Sequence, residues 1–292
     1  MKLSIITINY NDAAGLKKTL DSVAKQTCTN FEHIIVDGAS TDGSVDVIRE
    51  YENNLISNQK PLASNLKWLS EPETGIYNAM NKGIKIAKGE YLLMLNSGDY
   101  LIIDNLESEI FPLLTGEDIV QGNLVLHVQD KYFIHKGYAH SDLSFIEIHH
   151  GDFPHQSMFI KKSLHDTYGY YDESYRFIAD TLFFLKTLGL GNASFKYVDK
   201  TIAFFAPGGA SVQHAKEREN ERKRMFDENL SKRLQNLCIK DENKIAMYDK
   251  LHSNSVVWYI TIILLNISKL LQKNKKRIFE ADKKIPYNGI IE

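Results

Sequence analysis

Apolar positions in the first hundred residues switch between two periods. Leu3-Ser4-Ile5-Ile6-Thr7-Ile8 is a short run rich in β-branched residues and reads as a buried strand. Leu16, Leu20, Val23 and Ala24 then share one face of a helix that Asn11 or Asp12 can cap. His33-Ile34-Ile35-Val36 is a second strand, ending at Asp37-Gly38, and Thr41-Asp42-Gly43-Ser44 opens a short helix through Val47, Ile48 and Tyr51. Residues Asn53 to Asn65 read as a polar loop, and Leu66-Lys67-Trp68-Leu69 as a third strand. Ile76, Met80, Ile84 and Ala87 mark a helix, with Thr74 as its cap and Gly89 just past its end. Tyr91 to Leu95 is a fourth strand. Strand–helix repetition of this kind predicts an α/β fold with a parallel sheet covered by helices on both faces.

The second half is less regular. Asp118 to Val128 and Lys131 to Lys136 read as a strand pair, and Ser157 to Ile160 as a short strand. Lys161 to Tyr168 is a helix closed by Gly169, and Asp180 to Leu188 one closed by Gly189. Phe195 to Phe205 holds one or two strands, broken by Pro207-Gly208-Gly209. Lys216 to Leu237 is a long, charged helix. A boundary near residue 212 divides a larger body, 1–212, from a helical C-terminal extension, 213–292.

In parallel sheets ligands bind beyond the carboxyl ends of the strands. The candidate polar residues collect there: Thr7, Asn9 and Tyr10 after the first strand, Asp37 and Ser40 after the second, Glu71 and Glu73 after the third, Asp99 after the fourth. The formal charge of -2 over 292 residues gives no pointer to nucleic acid. Two distant cysteines, Cys28 and Cys238, imply free thiols in a reducing compartment. The N-terminus lacks the pattern of a signal peptide, and no run reaches the roughly 18–20 apolar residues of a spanning helix. A cytoplasmic protein is the expectation.

Several segments together resemble the family 2 glycosyltransferases with the GT-A fold, in particular bacterial enzymes that build exopolysaccharide, capsule or O-antigen units. They are Ser4 to Asn11, Ile35 to Ser44, Glu71 to Ile84, Leu95 to Asp99, Pro154 to Ser157, Ile178-Ala179-Asp180 and Gly208 to Ser211. The resemblance covers about residues 1–212. It implies a GT-A nucleotide-sugar fold and transfer of one sugar from a nucleotide-diphosphate sugar, a UDP-sugar in the first instance, to a saccharide acceptor.

The resemblance also implies roles by position. Thr7, Asn9 and Tyr10 would flank the base, Asp37 would accept its N–H, and Ser40 would sit nearby; the other reading of Asp37 is an Asp-Gly turn. Gly75, Asn78, Asn81 and Lys82 would face the ribose and diphosphate at a helix start, Lys82 being otherwise a solvated lysine. The family's DxD motif, which binds Mg²⁺ or Mn²⁺ on the diphosphate, is altered here. Asn96 and Gly98 stand at its acidic positions and Asp99 follows, leaving one carboxylate with Asn96 or Ser97 as neutral helpers. A plain β-turn is the other reading of Asn96-Ser97-Gly98-Asp99.

Asp180 matches the family's base, which removes the acceptor proton in inverting transfer; as the first residue of a helix it could equally be an N-cap. His155 is a second metal or diphosphate candidate. His149 and His150, adjacent on an expected strand, would point apart. Gly208, Gly209 and Ser211 read as a lid over the diphosphate or as a hairpin turn.

The run Ser253 to Ile267, followed by Lys273, Lys275, Lys276 and Arg277, suits an anionic membrane surface. Such contact would bring a polyprenyl-diphosphate-linked acceptor to a peripheral enzyme on the inner face of the membrane. Packing on its own domain or on a second subunit of a homo-oligomer is the other reading. Outside transfer, the sequence leaves open a catalytically inactive nucleotide-sugar-binding protein, to which the altered DxD points, and a nucleotidyltransferase. The loop after the first strand lacks the glycines and basic residues of the latter.

Overall fold

The computed structural model describes residues 1–128, 131–141, 143–150, 153–206, 214–236 and 238. Its N-terminal half is the expected parallel sheet. Strands β1 (Leu3–Asn9), β2 (Phe31–Asp37), β3 (Leu66–Ser70) and β4 (Tyr91–Met94) lie in the order β3-β2-β1-β4, all parallel. Every residue of β1, β2 and β4 is buried, as expected of strands covered on both faces. Helices α1 (Ala13–Ala24) and α2 (Ser44–Ser57) bury Leu16, Leu20, Val23, Ile48 and Tyr51 in one core with Leu3, Ile5, Ile35 and Leu93. Helix α3 (Ile76–Ile86) lies against the other face. A methyl group added at Gly83 would come within 2.5 Å of Ile6 Cγ2, so glycine lets this helix approach β1 closely.

The remaining strands extend the same sheet. They are β5 (Tyr100–Leu101), β6 (Ile119–Val128), β7 (Lys131–His135), β8 (Met158–Lys161) and β9 (Phe195–Phe205). The nine strands run β3-β2-β1-β4-β8-β6-β9-β5, with β7 paired to β6. β8 enters antiparallel between β4 and β6, and β9 is parallel to β6 with a bulge near Asn123. The shorter helices are α4 (Leu106–Glu109), α5 (Phe145–His150), α6 (Ser163–Tyr168) and α7 (Ala179–Phe184); α7 continues as a π turn to Gly189. Helix α8 spans Ala215–Asn229. Among the described residues no helix is long and apolar enough to cross a membrane.

Several local expectations give way. Asn53 to Asn65 is not a loop: α2 continues to Ser57 and a 3-10 turn covers Pro61–Asn65, because Leu55 and Leu62 are buried at 2% exposure each. Gly75, not Thr74, occupies the N-cap of α3, without a side-chain hydrogen bond. His149 and His150 end helix α5, so the strand alternation does not apply to them. The charged helix stops at Asn229 rather than Leu237. The first compact unit is Met1–Asn229 and the second begins at Leu230, so α8 belongs to the first unit. In the first unit Glu221 accepts the N–H groups of Arg176 and Phe177, and the Tyr175 hydroxyl donates to Glu228. Gly208, Gly209, Ser211 and the run 253–267 lie outside the described residues. Cys28 and Cys238 are buried and not disulfide-bonded.

Candidate active site

The carboxyl ends of β1 and β2 are knit together by short polar side chains. Asp37 is fully buried. Its Oδ1 accepts the Asn9 amide at 2.7 Å and the Ser40 hydroxyl at 2.6 Å. Its Oδ2 accepts the Ser40 N–H at 3.0 Å and the Ser70 hydroxyl at 2.6 Å. Burial alone would push this carboxyl up, but the Ser40 and Ser70 hydroxyls, the Ser40 N–H and the Asn9 amide together hold it below the usual range. A carboxylate has about four acceptor sites, so a base N–H reaches Asp37 only by displacing one of these donors.

Ser40 Oγ also accepts the Asn11 N–H, and Asn11 Oδ1 accepts the Thr41 N–H. Tyr10 stands out from this edge at 70% exposure, its ring over Gly38 and open to stack on a base. Thr7 lies elsewhere. β1 runs on to Asn9, so Thr7 is inside the strand, fully buried, with its hydroxyl 3.0 Å from His33 Nε2.

Beyond β4 the chain makes a β-turn, Asp99 N–H to Asn96 C=O, with Gly98 at φ 91°. Thr19 of α1 pins it: its hydroxyl contacts the Asp99 carbonyl at 2.6 Å and the Gly98 N–H at 3.0 Å. Ser97 donates its N–H to Ile8 C=O. Asp99 is 3% exposed, and its Oδ1 accepts the Ala206 N–H at 2.8 Å. Burial pushes its carboxyl up to about 6, against the opposing pull of the Ala206 N–H and the Gln156 amide.

Among the described residues there is no group of three acidic, histidine or cysteine side chains able to hold a metal ion. The hard oxygens at the turn are the Asp99 carboxylate and Asn96 Oδ1, which is buried without a hydrogen-bond partner. Such a set fits a divalent cation carried mainly by diphosphate oxygens and water, and does not fit a cation caged by protein.

Asp180 sits in the first turn of α7, but Ile178 is the N-cap residue. The Asp180 carboxylate is 18% exposed. Its Oδ1 accepts the Tyr77 hydroxyl at 2.8 Å and the Thr181 N–H at 2.8 Å. Its Oδ2 lies 3.1 Å from His155 Nδ1. Burial would push the carboxyl up; the His155 ring, the Tyr77 hydroxyl and the Thr181 N–H outweigh it and hold it below the usual range. His155 Nε2 faces the Asn96 amide nitrogen at 3.2 Å. A neutral imidazole protonated on Nδ1 satisfies both contacts, donating to Asp180 and accepting from Asn96. Both ring nitrogens are then engaged, which leaves His155 no lone pair for a metal. Asn96, His155, Asp180 and Tyr77 thus form one hydrogen-bonded row, drawn from the β4 turn, the 155–157 turn, α7 and α3.

The polar residues of α3 divide between two sets of partners. Asn81 is 2% exposed; its amide donates to Tyr171 C=O and Glu173 and accepts the Tyr171 N–H. Asn78 donates to the other Glu173 oxygen at 2.8 Å. Lys82 is held by Glu71 at 2.6 Å and Glu73 at 2.9 Å, and these two carboxylates raise its ammonium above the ordinary range. Gly75, at φ 156°, has open space around it. Of the residues expected around a donor, the structure therefore gathers Asn9, Asp37 and Ser40 at one edge, and Asn96, His155 and Asp180 at another. It sends Thr7 into the sheet and Asn78 and Asn81 toward residues 171–173. Sequence reasoning gave no role to Tyr77, Ser70, Thr19 or Gln156, whose signals are single hydroxyls and amides with no spacing of their own.

The sequence model of Glycosyl transferase family 2 matches residues 4–176. A PGL/p-HBAD biosynthesis glycosyltransferase of Mycobacterium bovis is 32% identical over 181 residues, 61% of this chain and 66% of that protein. The chain thus spans just under two thirds of that relative's length. An uncharacterised glycosyltransferase of Mycobacterium tuberculosis is 30% identical over 187 residues, 63% of this chain and 68% of that protein. Among solved structures, TarS 1-349 of S. aureus in complex with UDP superposes with a TM-score of 0.60 at 20% identity, over 87% of this chain and 73% of that one. The mannosyltransferase PcManGT of Pyrobaculum calidifontis, in complex with GDP-Man and Mn²⁺, has a TM-score of 0.58 at 15% identity, over 78% and 63%. These likenesses are of fold, and the fold is that of the GT-A glycosyltransferases. With the family match running from β1 to the loop before α7, more than half of its length, the chain belongs to glycosyl transferase family 2.

Proposed function

We propose that this protein transfers a single sugar, with inversion, from a UDP-sugar to a saccharide acceptor in surface polysaccharide synthesis, with Asp180 as the base. The observation that carries the reading is Asp180 itself. It is an ionised, mostly buried carboxylate, fixed on one oxygen by Tyr77 and Thr181 and on the other by His155, and linked through His155 to the Asn96 turn. The acceptor hydroxyl oxygen attacks the anomeric carbon, and the bond from that carbon to the diphosphate breaks with its electron pair. Asp180 Oδ2 takes the hydroxyl proton. Tyr10 stacks on the base, and the Asn9–Asp37–Ser40 cluster shapes the floor beneath it.

Asn96 Oδ1 and Asp99 are the protein oxygens that would hold a divalent cation on the donor diphosphate. When bound, the cation opposes the charge that builds on that leaving group. Support for a nucleotide sugar comes from the UDP, UDP-GlcNAc and GDP-Man bound by structures of the same fold. Support for a lipid-linked acceptor comes from the apolar run 253–267 with its basic flank, suited to a membrane surface.

The test is a panel of UDP- and GDP-sugars scored by thermal stabilisation with and without Mn²⁺, followed by nucleotide release with the stabilising donor. Stabilisation by UDP-sugars and slow release of UDP are expected. Stabilisation by none of them, or by GDP-sugars alone, overturns the donor assignment.

A further inference from the structure

Asn78 and Asn81 of α3, which the family pattern would put on the donor, are bonded instead to the segment that leads to the base, while Lys82 is held by Glu71 and Glu73. Tyr77, Asn78 and Asn81 fall at i, i+1 and i+4 on one side of the helix. Asn81 holds both the C=O and the N–H of Tyr171, at 2.8 and 3.0 Å, and with Asn78 it occupies both oxygens of Glu173. Tyr77 reaches furthest along the same segment, to Asp180 Oδ1 at 2.8 Å, with its ring tilted against Tyr171 at 5.5 Å. Behind these contacts Met80, Gly83 and Ile84 are buried, and Gly83 lies close against Ile6 of β1. The helix is therefore braced on the most buried part of the sheet, with its other side bonded to residues 171–180.

We propose that α3 is the strut that positions the base, with Tyr77, Asn78 and Asn81 acting as positioning residues on the Asp180 segment and not as contacts to the donor diphosphate. This rests on the reading of Asp180 as base. The geometry also states what Tyr77 does there. The two donors on Oδ1 fill its acceptor sites, and His155 takes one site on Oδ2. One lone pair remains, on Oδ2, so the acceptor proton has a single place to go. Without the Tyr77 hydroxyl the carboxylate has an open site on each oxygen and one restraint fewer on its rotation. The groups that face this carboxylate are Tyr77 from α3, His155 from the 155–157 turn, Tyr171 from the preceding loop, and the Thr181 N–H of α7. Burial, then the charge of Asp180, keeps the Tyr77 hydroxyl protonated and able to donate.

The experiment compares Tyr77→Phe and Asn78→Ala with the full-length wild type, using UDP and the donor sugar that stabilises it. Tyr77→Phe keeps the ring contact and removes one hydrogen bond to a charged group, so kcat should fall by about tenfold or more while the UDP Kd and donor KM stay within about twofold. Asn78→Ala should lower kcat less and leave the UDP Kd equally unmoved. A tenfold rise in UDP Kd or donor KM at constant kcat, in either variant, would overturn the proposal, because it would put α3 on the donor. A second reading needs no turnover. In protein labelled with ¹³C at aspartate carboxyls, the Asp180 signal, assigned by its loss in Asp180→Asn, should shift in Tyr77→Phe at fixed pH. An unmoved signal overturns the proposal. A wild type that neither binds UDP nor releases it sinks the transferase reading alone, and the carboxyl signal still decides the role of Tyr77.

Discussion

Replacing Asp180 by asparagine separates base from scaffold, because the surrounding groups can accept an amide. Asparagine keeps one oxygen, which can hold the Tyr77 hydroxyl and the Thr181 N–H as Oδ1 does now. Its NH₂ then faces His155 Nδ1, 3.1 Å away in the wild type. The imidazole answers by moving its proton to Nε2, and Asn96 answers by turning its amide so that Oδ1, at present without a partner, accepts that proton's hydrogen bond. The contacts from residue 180 to His155 and from His155 to Asn96 are thus kept in number.

The stability cost is the conversion of charged hydrogen bonds to neutral ones, about 1–2 kcal/mol, or roughly 2–8 °C in melting temperature for a protein of this size. The Asp180 carboxyl lies below its ordinary pKa, so its stabilisation is present above the unfolded value and is lost as pH falls through the folded one. The melting gap between variant and wild type should therefore close in acid. The catalytic cost is larger: loss of one general base lowers kcat by about 10²–10⁴-fold, or about 3–5 kcal/mol. The assay is UDP release per folded molecule beside thermal melts at each pH. Normal kcat per folded molecule would refute the assignment, and combined with a much earlier melt it would make Asp180 a packing residue.

Two further outcomes follow from the strand ends. The Asp99 carboxyl is raised by burial to about 6 from 3.8, so its contribution is full below about pH 4 and lost as pH rises through 6, about 3 kcal/mol in all. Asp99→Asn should gain on the wild type in melting temperature between pH 4 and 7, and parallel melting curves would contradict this. Asp37→Asn puts an amide where four donors converge, so at least one loses its acceptor; unfolding in urea should show a loss of about 2–4 kcal/mol, and UDP should bind more weakly. An unchanged midpoint would mean that Asn9, Ser40 and Ser70 pair elsewhere.

The parallel half of the sheet was legible because burial on two faces writes continuous apolar runs, and β1, β2 and β4 lie where those runs lie. The antiparallel entry of β8 between β4 and β6 was not legible, since Met158–Lys161 is four residues long and its partners are set by tertiary packing. Asn53 and Asn54 suggest a loop after Tyr51, while the deciding residue, Leu55, is one apolar side chain a turn beyond Tyr51 that reaches the core and extends α2. Helix α5 was missed for a similar reason: Phe145 to His150 is a single turn and a half, too short to show a period.

In the site, chain position was readable and side-chain direction was not. The family match ends at residue 176, yet Asp180 was placed correctly at the start of a helix, because an acidic residue before an apolar helical run is visible locally. Whether it capped that helix or faced a reacting group depended on His155 and Tyr77, which are 25 and 103 residues away in the chain. Asn81 presents the converse case. A resemblance carries a residue to the right helix, but on a helix a neighbouring position points about 100° away. The side that meets β1 through Gly83 leaves the Asn78 and Asn81 side to meet residues 171–173. The glycine is thus the sequence signal that bears on the direction: an invitation to close approach on one side of α3 assigns its polar neighbours to another. The partner they meet there, Glu173, supplies a carboxylate with two oxygens for two amides.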